Sequence, residues 1–219
     1  MPDLLPLFLN LTGRVVVLVG GGPVATAKLR QLLAAGARVR VVSPEVTDEI
    51  ARLAAGGFQP GDRGDRGSTI TLLRRPFVAA DLDGAWLAVA AATPDVNRDV
   101  AAVAETRHLF VNAVDDPANA SAFLGGVVRR GGVTLAISTS GDAPALTALL
   151  REGLDAVLPH DLAAWVGRAR AERIRWRRNG VSMESRKPRL LRALNELYGT
   201  PGDSPACVPW LNGPEDSWL

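Results

Sequence analysis

The sequence predicts an α/β protein in which a parallel sheet wound by helices is followed by a small β-rich segment and a helical C-terminal domain. Three observations lead there. Short apolar, β-branched runs recur through the first half, as strands buried on both faces do. Helical spacing alternates with them, which is the order of a wound sheet. The first run, Val15 to Val19, empties into Gly20-Gly21-Gly22, and Lys28, Leu29, Leu32 and Leu33 follow at helical intervals.

Gly20-x-Gly22-x-x-Ala25 matches a dinucleotide-binding fingerprint. Its physical content is a tight turn without Cβ atoms, close backbone approach, and a helix start facing a pyrophosphate. Pro23 suits the first helical position, where its missing N–H costs nothing. Gly20, Gly22, Pro23 and Val24 are therefore the expected cofactor contacts of a Rossmann-like domain. A glycine-rich strand-to-helix turn in another kind of α/β protein is the competing reading.

The remaining elements follow in order. Leu5-Pro6-Leu7-Phe8-Leu9-Asn10-Leu11 reads as an extended apolar flap over the sheet, since Pro6 opposes a helix. The first helix runs to about Ala35, with Gly36 as its cap. A second strand, Arg38 to Val42, ends at Ser43-Pro44-Glu45, where a dinucleotide fold places its ribose-binding acid. No arginine follows to receive a 2′-phosphate, so NAD is expected over NADP. A short helix covers Asp48 to Ala55, and the tandem Gly61-Asp62-Arg63 and Gly64-Asp65-Arg66 triplets read as a surface loop.

Thr69 to Leu73 and Trp86 to Ala92 give two further strands. The second of these ends at Thr93, on the carboxyl edge where ligands bind in open α/β sheets. Asp99 to Arg107 is helical, and Leu109 to Val114 forms a fifth strand ending in Asp115-Asp116-Pro117. Ala122 to Arg129 and Val133 to Thr139, broken by Arg130-Gly131-Gly132, read as a hairpin outside the sheet. Pro144 to Leu158 forms a helix with Leu146, Leu149, Leu150, Leu154 and Val157 on one stripe, expected to pack as core.

Composition bounds the function. The 219 residues, 47% hydrophobic and 22% charged, suffice for one main domain and a smaller one. No apolar run reaches a membrane span, and Met1-Pro2-Asp3 lacks a signal sequence's basic region, so a cytoplasmic protein without membrane partners is expected. A single cysteine, Cys207, excludes an internal disulfide, and two histidines, His108 and His160, disfavour a histidine metal site.

At this point several ordered motifs resemble those of the siroheme synthase family. They are Val19-Gly20-Gly21-Gly22-Pro23-Val24-Ala25-x-x-Lys28, Ala92-Thr93 with Asn97 and Arg98, Val111-Asn112-Ala113-Val114-Asp115-Asp116-Pro117, and Ile137-Ser138-Thr139-Ser140-Gly141-Asp142-Ala143-Pro144. The match extends from Leu5 to about Pro159. It points to the module that acts as precorrin-2 dehydrogenase and, in many members, as sirohydrochlorin ferrochelatase.

The resemblance implies an NAD-binding domain over 1–112, a β-rich dimerisation segment over 113–143, a helical domain over 144–199 and an irregular tail over 200–219. It further implies a homodimer, the tetrapyrroles precorrin-2 and sirohydrochlorin as ligands, and Fe²⁺ as a second substrate. Asp115 matches the family's base in dehydrogenation, which is also implicated in metal insertion. A carboxylate at the end of a parallel strand near the nicotinamide crevice suits a proton acceptor. An Asp-Asp-Pro turn is the competing reading, and it is preferred for Asp116.

Ser138, Thr139 and Ser140 read either as an anion-binding turn for tetrapyrrole carboxylates or as hydroxyl caps of the next helix. Two departures from the family pattern, Ala143 in place of serine and Leu124-Gly125-Gly126, touch the substrate side. Residues 161–192 carry ten Lys or Arg against three acids. That run reads as a solvated helix face, as arginines gathered for a polycarboxylate or, least favoured given the net charge of +2, as a nucleic-acid surface. Trp210 and Trp218 suggest a docking tail, and a protein without the methyltransferase domain of longer siroheme synthases is expected. A non-catalytic dinucleotide sensor or tetrapyrrole carrier is the alternative on the same fold.

Overall fold

The computed structural model describes residues 4–56 and 69–198. Five parallel strands form the sheet in the order β3-β2-β1-β4-β5: β1 (Val15–Val19), β2 (Arg38–Val42), β3 (Ile70–Leu73), β4 (Leu87–Ala90) and β5 (Val111–Ala113). Helices α1 (Pro23–Ala34), α2 (Asp48–Ala54) and α3 (Pro94–Thr106) make three of the crossovers, and a short 3-10 turn at Ala79–Leu82 lies between β3 and β4. Chain order reverses between β1 and β4, the switch point where such sheets open a ligand crevice.

Alternation along each strand builds two separate cores. Val16, Leu18, Val39, Val41, Leu87 and Val89 face α1 and α2, packing on Leu29, Leu32 and Ile50. Val17, Val19, Val42, Ala88 and Ala90 face α3, packing on Val100 and Ala104. Period-two burial on both faces explains why these strands read as unbroken apolar runs. The strands are shorter than expected at their ends, and α3 starts earlier, because Thr93 stands before Pro94 at the helix entry.

Two compact units divide the chain. The first contains residues 1–125 and 138–147, and the second residues 126–137 and 148–219. The hairpin β6 (Gly126–Arg130) and β7 (Val133–Ile137) thus groups with the helices, while the Ser138–Ser140 turn groups with the sheet. Gly131 and Gly132 both have positive φ, 57° and 88°, as a two-residue hairpin turn requires. Arg130 ties the hairpin to the end of α4 (Pro144–Val157), reaching the Leu158 carbonyl at 2.5 Å and Asp155 at 2.8 Å. In the same unit α5 (Leu162–Arg178) and α6 (Met183–Asn195) join Leu162, Trp165 and Leu194 in a small core.

Two expectations need correction. The segment before β1 does not form a flap over the sheet: Leu5, Leu7, Phe8 and Leu9 are exposed, and only Leu11 enters the core. Nor is α4 packed core, since none of its residues is buried and its stripe from Leu146 to Val157 faces out. Helical spacing reveals an apolar face but not whether the same chain covers it. The Gly61–Arg66 triplets, Cys207, Trp210 and Trp218 lie outside the described residues. Among those described, no helix is long and apolar enough to cross a membrane.

An ion pair between a buried carboxylate and a half-exposed arginine braces the sheet unit. Asp81, 4% exposed, binds Arg75 through both oxygens at 2.5 and 2.8 Å and accepts the Val78 N–H at 2.9 Å. Chiefly through that hydrogen-bonded guanidinium, its carboxyl is held below the usual value, with burial opposing. A lowered folded-state pKa stabilises above the unfolded value of about 3.9, and the gain disappears as pH falls through the folded value. Asp81→Asn should therefore cost about 1–3 kcal/mol near neutrality. Urea midpoints should show the gap from wild type closing in acid; a gap independent of pH would contradict this role.

Candidate functional site

The carboxyl end of β1 sets the site. Gly20 has φ of 123°, and a Cβ there would stand 2.1 Å from the Ala91 carbonyl oxygen. At Gly21 a Cβ would stand 1.9 Å from the Glu45 oxygen. Both positions demand glycine because neighbouring loop backbones occupy the space. Gly22 differs, being extended with nothing within 4 Å of where its Cβ would project. The turn is thus closed against the protein at its first two residues and open at the third.

Beyond it α1 starts with Pro23, without a side-chain cap or an acid in its first turn. Its first-turn N–H groups and positive dipole end remain available to an anion. This cradle, with Pro23 and Val24 exposed beside it, fits a dinucleotide pyrophosphate.

Ser43 is buried and turned inward. Its hydroxyl donates to the Glu45 carbonyl at 2.6 Å and packs where a Gly21 side chain would otherwise stand. It shapes the glycine turn, which leaves Pro44 and Glu45 exposed at the tip of β2 and Glu45 as the carboxylate there. Thr93 is exposed at the end of β4, beside β1 in the sheet.

The other half of the site is the end of β5. Asp115 is exposed and left-handed at φ 57°, a conformation that costs an L-residue about 1–2 kcal/mol. Asp116 instead accepts the Asn119 side-chain N–H at 2.8 Å and enters the short turn at Pro117–Asn119. The two aspartates thus divide into one exposed carboxylate and one turn residue. The charge on Asp115 reaches Lys28 of α1, whose ammonium is pushed below its ordinary value by burial, with Asp115 opposing that shift.

Next to Asp115 lies the turn over 138–141. A Cβ on Gly141, φ 87°, would stand 2.8 Å from the Pro117 ring, so the two turns are in contact. The Thr139 hydroxyl accepts the Ala143 N–H at 3.2 Å and lies 2.9 Å from the Thr147 hydroxyl, while Ser138 accepts the Ser140 N–H at 3.1 Å. Ser138 and Thr139 therefore brace the turn from within, and Thr139 ties it to Thr147 of α4. Ser140 is left-handed at φ 55°, so two strained non-glycine residues meet here.

Sequence reading named Asn97 within a motif but gave it no role. It is buried, holds the Ala92 N–H at 3.0 Å through Oδ1, and directs Nδ2 toward the Val114 carbonyl at 3.5 Å. This clasp fixes the ends of β4 and β5 together, directly before Asp115. A polar residue on the helical stripe of Val100, Ala101 and Ala104 was the available signal. Among the described residues, no group of three or more His, Cys, Asp or Glu is placed to hold a metal.

These environments separate two glycine substitutions. Gly22→Asp should keep the fold, because aspartate is a good N-cap in extended backbone, yet lower dinucleotide affinity by about tenfold or more by placing a carboxylate in the cradle. Gly20→Ala should unfold the protein at lower temperature. Thermal melts with and without NAD would check both; equal NAD-induced stabilisation in Gly22→Asp and wild type would remove the cradle.

Comparison with known proteins agrees with this geometry. The family model described as putative NAD(P)-binding matches residues 7–126, and one described as sirohaem biosynthesis protein central matches 130–156. The chain is 42% identical over 186 residues to siroheme synthase 1 of Aeromonas salmonicida, a span covering 84% of this chain and 37% of that protein. It is 36% identical over 197 residues to the siroheme synthase of Photorhabdus laumondii, covering 90% and 40% respectively. It thus spans less than half the length of these curated relatives. The solved structure of SirC, precorrin-2 dehydrogenase, superposes with a TM-score of 0.64 at 25% identity, covering 89% of this chain and 92% of that one. With more than half of its length matched and its curated relatives being siroheme synthases, the chain belongs to the putative NAD(P)-binding family.

Proposed function

We propose that this protein is an NAD-dependent precorrin-2 dehydrogenase of siroheme biosynthesis, acting in the cytoplasm. The observation behind the reading is the exposed, left-handed Asp115 on the same sheet edge as the open glycine cradle. Likeness to relatives named siroheme synthase and to a structure named precorrin-2 dehydrogenase supports this substrate.

Oxidation of precorrin-2 to sirohydrochlorin removes one hydride and one proton. A nicotinamide bound at the switch point supplies the hydride acceptor. The protein's own residues do the rest. Gly22, Pro23 and Val24 would hold the pyrophosphate at the α1 start, Glu45 would meet the ribose, and Thr93 would border the nicotinamide side. The carboxylate of Asp115 accepts the proton, and the Lys28 ammonium offsets its negative charge before transfer. Ser140, strained and next to Pro117, lies on the substrate side with Ser138 and Thr139. Preference for NAD over NADP rests on Glu45, whose charge repels a 2′-phosphate.

Anaerobic incubation with precorrin-2 and NAD should give NADH and sirohydrochlorin together. Asp115→Asn should lower kcat by about a hundredfold or more while leaving NAD affinity unchanged. NAD binding without turnover by folded wild-type protein would favour a dinucleotide sensor or tetrapyrrole carrier instead. Adding Fe²⁺ to the product tests chelation at the same carboxylate, which would take pyrrole protons as the macrocycle supplies four nitrogens to the ion.

A homodimer belongs to this proposal. The stripe on α4, with Leu149 and Val157 each 65% exposed, offers an apolar face that the described residues leave uncovered. Together with the β6–β7 hairpin it would form the twofold contact. Sedimentation should give twice the chain mass, and Leu149→Glu should raise the dimer dissociation constant by about tenfold or more. A wild-type protein that stays monomeric at all concentrations would remove the dimer.

A further inference from the structure

The helical unit contains a cavity of about 690 Å³ between α5 and α6, within the range of sites for small organic ligands. Its charges are unequally matched. Four arginines line it, Arg168, Arg175, Arg189 and Arg192, against two carboxylates, Glu172 and Glu196. Both acids are committed to the same two arginines. Glu172, buried on α5, lies 3.6 Å from Arg168 and 3.3 Å from Arg175, and Glu196 holds Arg168 at 2.6 Å.

Arg189 and Arg192 are different. They stand three residues apart on α6, both exposed, and among the described residues neither has a carboxylate or hydrogen-bond partner. That spacing puts them on one helical face. Arg168 Nε is buried without a hydrogen bond of its own, its nearest carboxylate oxygen being that of Glu172 at 3.6 Å. Trp176 contributes a buried apolar side to the cavity, and Asn179 and Ser185 line it as neutral hydrogen-bonding groups. Two guanidinium forks that no described residue pairs, beside a concave surface, suit a molecule bearing at least two oxyanion groups.

We propose that the α5–α6 cavity is a second ligand site, confined to the helical unit, which binds a small polyanion through Arg189 and Arg192. Carboxylate and phosphate share the chemistry that a guanidinium fork recognises. The inference goes beyond the dehydrogenase reading and does not depend on it.

Citrate and pyrophosphate, each titrated calorimetrically into the full chain with NAD in excess, test it and separate the two chemistries. Saturable binding of one or both is expected, weakened about tenfold or more in the double variant Arg189→Gln/Arg192→Gln. Loss for citrate alone assigns carboxylates, for pyrophosphate alone phosphates, and for both a general oxyanion site. The exposed pair Arg170→Gln/Arg177→Gln, outside the cavity, should leave binding unchanged. As a check independent of variants, the amide resonances of Asn179 and Ser185 should move in wild type as the anion saturates. The proposal is overturned if neither anion saturates, if both double variants lose affinity equally, if the cavity variant binds as wild type does, or if those resonances stay fixed.

Discussion

Everything at the functional edge of the sheet depends on how closely two loops approach the end of β1. Ala91 follows β4 and Glu45 follows β2, and their carbonyl oxygens occupy the volumes that side chains on Gly20 and Gly21 would need. The loops are tied there by backbone: the Gly20 N–H donates to Val42, the Ala91 N–H to Val19 and the Thr47 N–H to Gly21. A single methyl group at Gly20 would have to displace main chain rather than a flexible side chain. Close packing around two glycines therefore fixes where the third, Gly22, opens to solvent.

That constraint passes to β5 through one polar side chain. Asn97 holds the loop after β4 by the Ala92 N–H and reaches the backbone just before Asp115. A buried amide satisfied by backbone is a specific linkage, because leaving either partner unpaired costs about 1–3 kcal/mol. Asp115 consequently sits in a left-handed conformation at a defined place, within the electrostatic reach of Lys28. Hydrogen bonding and burial rather than ligand contacts account for its position. The strain at Asp115 and Ser140 is tolerated because the turns bearing them are wedged together at Pro117 and Gly141.

Legibility in the sequence followed the range of the interactions. Strands buried on both faces were visible as apolar runs, and the glycine turn was visible because its chemistry is local. Asp116 was readable as a turn residue for the same reason. The inward rotation of Ser43 was not, because its acceptor is a carbonyl whose place is set by packing against Gly21. In the basic stretch, the pairs of Glu172 with Arg168 and Arg175 follow helical spacing, but the pair of Arg168 with Glu196 spans 28 residues. Only the folded arrangement shows, among the described residues, which arginines lining the cavity are neutralised, Arg168 and Arg175, and which are not, Arg189 and Arg192. The exposed faces of α4 and of the segment before β1 show the same limit, since amphipathic spacing records a face and not its partner.

The two units differ in how far each completes its own core. In the sheet unit, strand and helix residues such as Leu18, Leu29, Ile50 and Val100 are fully enclosed, on both sides of the sheet. Among the described residues, the helical unit encloses a smaller set, with a cluster around Leu162, Trp165 and Leu194, and α4 buries nothing. An isolated helix of 14 residues is marginal in water, and most helical stability in proteins comes from packing an apolar face. The stripe on α4 must therefore be covered by surface that the described residues do not supply. The proposed second copy of the chain would meet that need with a face identical on both partners, as a twofold contact requires. On this argument the same apolar stripe that weakens the lone chain is what would order the helical unit once paired.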